Sequence, residues 1–146
     1  MLIQVIASFF VTIFFSIIFN NGKKQLFYSG LVGASGWFTY LLLVNNNYTV
    51  VMASFFATLV ISIIATVLST LRKAPITVFQ IPGIIPIVPG TGMYNTLYGV
   101  ITNDYEAAIY NLFETLQIAG AIAVAMMLIY TLRTLIMTKK NSVKNH

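Results

Sequence analysis

Long apolar runs, separated by short polar turns, cover most of this chain. Four of the runs reach the length of about 17 residues that a helix needs to cross the hydrocarbon core of a membrane. They occupy residues 2–19, 26–44, 49–71 and 107–137. The pattern therefore predicts an all-α integral membrane protein, in which the polar turns mark the ends of the helices.

A fifth apolar stretch, residues 81–92 (IPGIIPIVPGTG), cannot form one continuous helix. It holds three prolines and three glycines. Each interior proline removes a backbone donor and clashes with the preceding turn, and the residue before a proline favours extended backbone. The flanking segments, residues 76–80 and 93–101, are each too short to cross alone. We therefore predict non-helical backbone at membrane depth, which must be buried in protein or line a watery cavity.

Two arrangements fit residues 74–101: one interrupted span, or a re-entrant hairpin that returns to the same side. Lys and Arg gather on the cytoplasmic side of membrane proteins, so the basic residues discriminate between the two. A crossing places all eight of them on that side, whereas a hairpin leaves those of the C-terminal segment outside. They are Lys23, Lys24, Arg72, Lys73, Arg133, Lys139, Lys140 and Lys144.

The charge distribution favours the crossing. We therefore predict five transmembrane helices, the fourth interrupted by the Pro/Gly motif, with the N-terminus outside and the C-terminus inside. Residues 1–138 form a single transmembrane domain in this prediction, and residues 139–146 form a cytoplasmic basic tail.

Composition supports the membrane class and narrows the function. Hydrophobic residues make up 58% of the chain and charged residues 8%, whereas a soluble domain carries about 25% charged residues. The net charge of +5 does not indicate nucleic-acid binding, because the positive charges lie at the ends of apolar runs and form no basic face. The chain has no cysteine, and its single histidine is the last residue, His146. With no histidine, no lysine and no pair of acids inside a span, we expect neither an intramembrane enzyme nor a metal site or cofactor.

Small and hydroxyl-bearing side chains form stripes along the first three spans. Those at intervals of four lie on one face of a helix. They are Ser8, Thr12, Ser16 and Asn20 in the first span, the pairs Ser29/Gly33 and Gly30/Ala34 in the second, and Ser54, Thr58, Ser62, Thr66 and Thr70 in the third. Small residues let helix backbones approach closely, so packing faces are the favoured interpretation, and faces that line a solute pathway are the alternative.

The end of the Pro/Gly stretch is the first candidate for chemistry. Gly90 and Gly92 can form a flexible or left-handed turn. Thr91 can then cap a half helix that begins near residue 93, with the backbone of Gly92 open to a ligand. The exposed N–H groups of a helix N-terminus attract anions, so we predict a carboxylate site here, with Tyr94 and Asn95 as polar neighbours. A proline kink that only shapes helix packing is the alternative.

Glu114 is the second candidate, because it is the only acid expected within an apolar span. An ionisable group there is costly unless it is paired or protonated. Our hypothesis is that Glu114 takes up and releases a proton that couples transport, with Gln117 beside it on the same helix face. The alternative is that Glu114 lies near the outer interface and is hydrated, since it is about two helical turns from Glu106.

One motif carries a family resemblance. The run APxxVFxxPGIIPIVPGxxxY, from Ala74 to Tyr94, resembles the threonine/serine exporter family. The likeness is to the short-subunit form, which corresponds to the membrane C-terminal part of longer fused exporters. It extends over nearly all of the chain and includes residues 19–20, 33–37 and 52–55. The family motif corresponds here to Pro82, Gly83, Pro86, Pro89, Gly90 and Tyr94.

The resemblance implies a function and a partner. It implies export of small amino acids or dicarboxylates across the inner or plasma membrane of a bacterium, together with a larger membrane subunit of the same family. We therefore expect a subunit of a secondary transporter, with a non-transporting assembly subunit or a passive channel as alternatives. A homo-oligomer is also possible in this interpretation. The expected substrate-binding residues are Pro82, Gly83, Pro86, Pro89, Gly90, Thr91, Gly92, Tyr94 and Asn95.

Overall fold

The computed structural model describes the backbone of residues 1–144 and the side chains of residues 1–136. Within these residues every regular element is helical, which confirms the all-α prediction. The helices are α1 (Leu2–Ile18), α2 (Leu26–Asn45), α3 (Val50–Arg72), α4 (Thr77–Ile84), α5 (Gly90–Ile101) and α6 (Tyr105–Lys144). Short 3-10 turns cover Lys23–Gln25 and Ile85–Ile87.

Among the described residues, three regions are helical, long and apolar enough to cross a membrane: Lys23–Asn45, Val50–Arg72 and Tyr105–Ile136. Two further apolar segments, Leu2–Ile18 and Thr77–Ile87, are shorter. The first predicted span thus becomes a helix of 17 residues. The predicted interrupted span becomes two short helices, α4 and α5, joined by a 3-10 turn.

Backbone conformation and a capping hydrogen bond in the polar turns define the ends of the helices. Asn20, Asn47, Lys73 and Asn103 adopt left-handed backbone with φ between 50° and 62°, a conformation in which asparagine is enriched. At the start of α3, the Met52 amide donates to the Thr49 hydroxyl at 3.3 Å, which satisfies one of the free amides of the first turn. The structure therefore confirms the positions of the turns predicted after the first and second spans.

The packing core forms where α2 and α3 meet α4. Phe79 of α4 is completely buried there, among Val32 of α2 and Ile61 and Ala65 of α3. Gly36 lies so close to Ile61 that a methyl group on Gly36 would overlap that side chain. Small residues therefore let α2 approach its neighbours, as the small-xxx-small pattern predicts.

The stripe on α1 is a packing face. Ser8, Thr12 and Ser16 are all buried. The Ser8 hydroxyl donates to the Gly33 carbonyl at 3.1 Å, and the Thr12 side chain occupies the space that a β-carbon on Gly33 would fill. The packing interpretation therefore holds for this helix.

Two ends of the helix bundle can be told apart by their residues. At the basic end, Arg72 at the end of α3 donates to the Lys24 carbonyl at 3.4 Å and lies 4.4 Å from the centre of the Tyr28 ring. The start of α4 lies there too, because Asn21 donates to the Val78 carbonyl at 3.0 Å. At the far end, residues 49–51 of α3 line a small cavity with residues 110–117 of α6.

The chain therefore runs from the basic end to the far end between the start of α4 and the start of α6. Helix α6 then returns alongside α3 and extends to Lys144, so residues 139–144 of the predicted basic tail continue this helix. Residues 145–146, including His146, lie outside the described part of the chain.

Candidate functional site

The helix break is narrower than the sequence predicts. Helix α4 continues through Pro82 and Gly83 to Ile84, and the 3-10 turn carries the chain on to Ile87. The backbone leaves helical geometry only at Val88 (ψ 131°) and Pro89 (ψ 63°). The stretch 81–92 is therefore not one continuous helix, as predicted, but its non-helical backbone is confined to these two residues.

Polar side chains explain how α4 tolerates its interior proline. Pro82 has no N–H to donate to the carbonyl four residues earlier, which belongs to Val78. Two donors from other parts of the chain replace it: Asn21 Nδ2 at 3.0 Å and the Ser29 hydroxyl at 3.2 Å. Because the freed carbonyl is satisfied, the helix need not break at Pro82.

The start of α5 also differs from the prediction. The helix begins at Gly90 with Pro89 as its N-cap, and no side chain caps it, so Thr91 lies within the first turn and is not a cap. Neither Gly90 nor Gly92 has a positive φ, so the predicted left-handed turn is absent from these residues. Pro89 itself turns the chain, and its fixed φ of −76° suits a helix start.

Gly92 serves helix packing. A β-carbon added to it would overlap Thr115 Oγ1 of α6, so this helix contact requires glycine, although Gly92 is partly exposed and also lines a cavity beside the break. Thr115 is 6% exposed and donates to the Asn111 carbonyl at 2.7 Å. In contrast, a β-carbon on Gly90 would have no heavy atom within 4 Å.

A cavity of about 510 Å³ lies beside the break. It is bordered by α2, α3, the segment that joins α4 to α5, the first turns of α5, and α6. Its lining residues are Trp37, Tyr40, Val50, Ser54, Pro86, Ile87, Val88, Pro89, Gly90, Thr91, Gly92, Asn95, Asn111, Glu114, Thr115 and Ile118. The volume is in the range of small-molecule sites in proteins.

This cavity brings together most of the residues predicted from the sequence. Seven of them line it: Pro86, Pro89, Gly90, Thr91, Gly92, Asn95 and Glu114. Glu114 is half-buried, so its exposure is intermediate between the two alternatives of full burial and free hydration. The sequence places Glu114 about 25 residues from the Pro/Gly motif, so only the fold brings these groups to one place.

Four predicted site residues lie elsewhere. Pro82 and Gly83 are buried in the packing core, where a β-carbon on Gly83 would lie 2.9 Å from Val32. Tyr94 is 66% exposed and stacks on Tyr98, with ring centres 6.1 Å apart. Gln117 lies outside the main cavity and shares with Glu114 the smaller cavity of about 240 Å³ at the far end.

Sequence reasoning missed the contribution of α2 and α3 to the cavity. Trp37 and Tyr40 stack with ring centres 5.0 Å apart and line the cavity together with Glu114. Ser54 also lines the cavity, although its position in the α3 stripe favoured packing alone. The available signal was that Trp37, the only tryptophan, lies in the middle of a span, away from the interface where tryptophan is enriched.

Comparison with known proteins identifies a matching family and one related protein. The family profile described as Threonine/Serine exporter, ThrE matches residues 4–132. An uncharacterized protein of Haemophilus influenzae is 32% identical over 122 residues, which cover 78% of this chain. The match covers only 41% of that protein, so the chain spans about two fifths of the length of this relative. No solved structure gives a significant match.

Proposed function

This chain belongs to the threonine/serine exporter family, and from that premise we propose that it is the short membrane subunit of a secondary transporter that exports small carboxylate metabolites. The substrate class comprises amino acids of the threonine and serine type and dicarboxylates such as succinate. The observation that carries the proposal is the cavity of about 510 Å³ at the helix break, where polar groups from four helices meet.

The first turn of α5 supplies the carboxylate site. No side chain caps this turn, and Gly90 and Thr91 are exposed residues that line the cavity. The free N–H groups of a helix N-terminus carry about half a positive charge, which favours a bound anion. Asn95, one turn further along α5, adds a polar side chain to the same wall.

Glu114 couples transport to a proton. Its half-buried carboxylate lies at the border between the main cavity and the small cavity at the far end, where it neighbours Gln117. A carboxylate in this position can exchange a proton with water at the far end while it faces the bound solute.

Replacement of Glu114 by Gln tests this role. The amide keeps the shape of the side chain and cannot titrate, so we expect counterflow to continue while uphill transport driven by a pH gradient is lost. The matched control is Glu106→Gln, which removes an exposed acid from the first turn of the same helix. Gradient-driven transport by the Glu114 variant at the rate of the unmodified chain would contradict proton coupling.

The chain crosses the bacterial inner or plasma membrane five times, with its N-terminus outside and its C-terminus inside. Support comes from the placement of the start of α4 at the basic end, near Lys24 and Arg72, and of the start of α6 at the far end, near Thr49. Impermeant thiol reagents applied to intact cells should label Asn46→Cys and not Asn21→Cys.

A larger membrane subunit of the same family completes the transporter, and a homo-oligomer is the alternative assembly. The family membership and the longer relative, of which this chain matches 41%, support a partner. Large apolar side chains cover the outer faces of α5 and α6, and these faces can meet lipid or a partner helix.

Reconstitution tests the proposal. Liposomes that carry this chain, the larger subunit, or both are assayed for counterflow of serine, threonine and succinate. We expect counterflow only when both chains are present. Transport by the larger subunit alone would identify this chain as an assembly subunit, and flux without saturation would indicate a passive channel.

A further inference from the structure

Two polar atoms beside the cavity are buried without a partner. Ser54 is 1% exposed, and its hydroxyl has no hydrogen-bond partner among the described residues. The indole Nε1 of Trp37 is likewise buried and unpartnered. Both residues line the cavity at the helix break.

These atoms contrast with the other hydroxyls of the same helices. Thr58 and Thr66 of α3 donate to the carbonyls of Ser54 and Ser62, both at 2.8 Å, and Ser35 of α2 donates to the Val32 carbonyl at 2.8 Å. Bonds of this kind satisfy a hydroxyl within its own helix. Ser54 does not use this option although it lies in the same stripe, so its buried hydroxyl needs a partner from outside its own helix.

The chemistry of the two atoms defines what they can bind. An indole N–H is a donor only, and a serine hydroxyl can donate or accept. A buried donor without a partner is costly, so such groups in native proteins are nearly always satisfied when the protein functions. The group that satisfies the Trp37 indole must therefore carry an acceptor, and oxygen is the acceptor that small carboxylate metabolites supply.

We infer that Trp37 and Ser54 are specificity-determining residues that hold a second oxygen function of the transported solute, in addition to the carboxylate at the start of α5. This inference rests on the proposed function and deepens it. A hydroxyl or a second carboxylate has the shared chemistry that these donors require. A solute with hydrogen in place of that hydroxyl, or with a methyl group in place of the second carboxylate, leaves both donors unsatisfied, and sites of this kind reject such analogues strongly.

The fluorescence of Trp37 allows solute binding to be measured. It is the only tryptophan of the chain, so its emission reports on the cavity in the purified protein. Three pairs of solutes differ by one oxygen function: serine and alanine, threonine and 2-aminobutyrate, succinate and butyrate. The first two pairs test a hydroxyl, and the third tests a second carboxylate. Titration of the full chain in nanodiscs, alone and with the larger subunit, gives the affinity for each solute.

Two variants remove the donors one at a time. Ser54→Ala removes one hydroxyl, and Trp37→Phe removes the indole N–H while it keeps an aromatic ring on Tyr40. The controls are Ser35→Ala, which removes a hydroxyl that is satisfied inside α2, and Tyr98→Phe, which removes a hydroxyl outside the cavity. Binding to the Phe variant, which has lost its fluorophore, is measured with radiolabelled solute.

We expect the unmodified chain to prefer the oxygen-bearing member of at least one pair by about tenfold to hundredfold, the effect of one or two hydrogen bonds. Each variant should lower that preference by about tenfold, whereas both controls should keep it. An unchanged preference in Ser54→Ala and Trp37→Phe would overturn the inference, and so would equal affinity of the unmodified chain for both members of every pair.

The two proposals can fail separately. Selective binding that depends on Trp37 and Ser54, without counterflow in liposomes, would support this inference and contradict the proposed transport function. Counterflow with unchanged selectivity in both variants would support transport and contradict the role of these two residues.

Discussion

The interrupted segment contains the same dipeptide twice, and the two copies have opposite environments. Pro82-Gly83 lies inside α4 and is fully packed, with Gly83 against Val32 and Ile61. Pro89-Gly90 lies at the break, where Gly90 borders the cavity and has open space beside it. The first copy shapes a helix contact and the second ends a helix next to a cavity.

The polar groups around the two copies differ in the same way. Near Pro82, the freed Val78 carbonyl has two donors, and the buried Gln80 amide donates to the Ser62 hydroxyl at 2.9 Å. Near Pro89, the hydroxyl of Ser54 and the indole of Trp37 have no partner among the described residues. Satisfied polar groups stabilise a fold, whereas a buried polar group without a partner requires a further explanation, such as a ligand that supplies one. The contrast leads us to assign structure to the first region and solute binding to the second.

The largest expected effect comes from a bulky side chain at the packed copy. Gly83→Leu places a side chain where even a β-carbon lies 2.9 Å from Val32 and 3.3 Å from Ile61. Overpacking of a tight core costs about 1–3 kcal/mol or more, so we expect a loss of stability of at least that size and little properly folded protein. Unfolding in mixed micelles and size-exclusion profiles measure it. Gly120→Leu is the control, because Gly120 has no neighbour within 4 Å.

The same substitution at the second copy should separate stability from transport. Gly90→Leu has room for its β-carbon, so we expect stability within about 1 kcal/mol of the unmodified chain. The side chain projects beside the proposed carboxylate site, and we expect transport to fall by at least about tenfold. Counterflow at the normal rate in a folded Gly90 variant would show that the second dipeptide has no special role in transport.

A smaller effect is expected from the buried amide of the packed region. Gln80→Leu removes the donor to Ser62 and leaves that hydroxyl without this partner, at a cost of about 1–3 kcal/mol. Since neither residue lines the cavity, the solute affinity of the folded fraction should not change. A double-mutant cycle with Ser62→Ala measures the coupling between the two side chains, and additive effects would show that the hydrogen bond contributes nothing.

The smallest expected effect comes from Asn21. Asn21→Ala removes one of the two donors to the Val78 carbonyl and leaves Ser29, so we expect a loss of about 1 kcal/mol. The double variant with Ser29→Ala should lose more than the sum of the single variants, because the carbonyl freed by Pro82 then has neither donor. Equal stability of the unmodified chain and the double variant would contradict our explanation of the continuous helix at Pro82.

These contrasts also mark what the sequence could and could not predict. Apolar runs and polar turns placed α1, α2 and α3 within a residue or two, because length and hydropathy determine those elements locally. The Pro/Gly motif indicated an interruption but not its place. A proline breaks a helix only if nothing else satisfies the carbonyl it frees, and the donors here come from residues 21 and 29, far away in sequence.

The candidate site was predictable on one wall only. Pro86 to Asn95 stood out by composition, and Glu114 by its charge inside an apolar run. The opposite wall, with Trp37 and Ser54, depends on how α2 and α3 pack against the break, which no local pattern encodes. The contact between Gly92 and Thr115 could not be predicted for the same reason, since Thr115 is 23 positions further along the chain.

The central claim is that the cavity at the Pro89 break is the solute pathway, and protection of a single thiol tests it most directly. The natural chain has no cysteine, so Thr91→Cys provides one reactive group in the cavity, and Asn46→Cys provides a control in an exposed polar turn outside the cavity. We expect a water-soluble maleimide to label the Thr91 variant and saturating substrate to slow that labelling strongly, with no such protection for the control. Absence of labelling at position 91, or labelling that substrate leaves unchanged, would contradict the account.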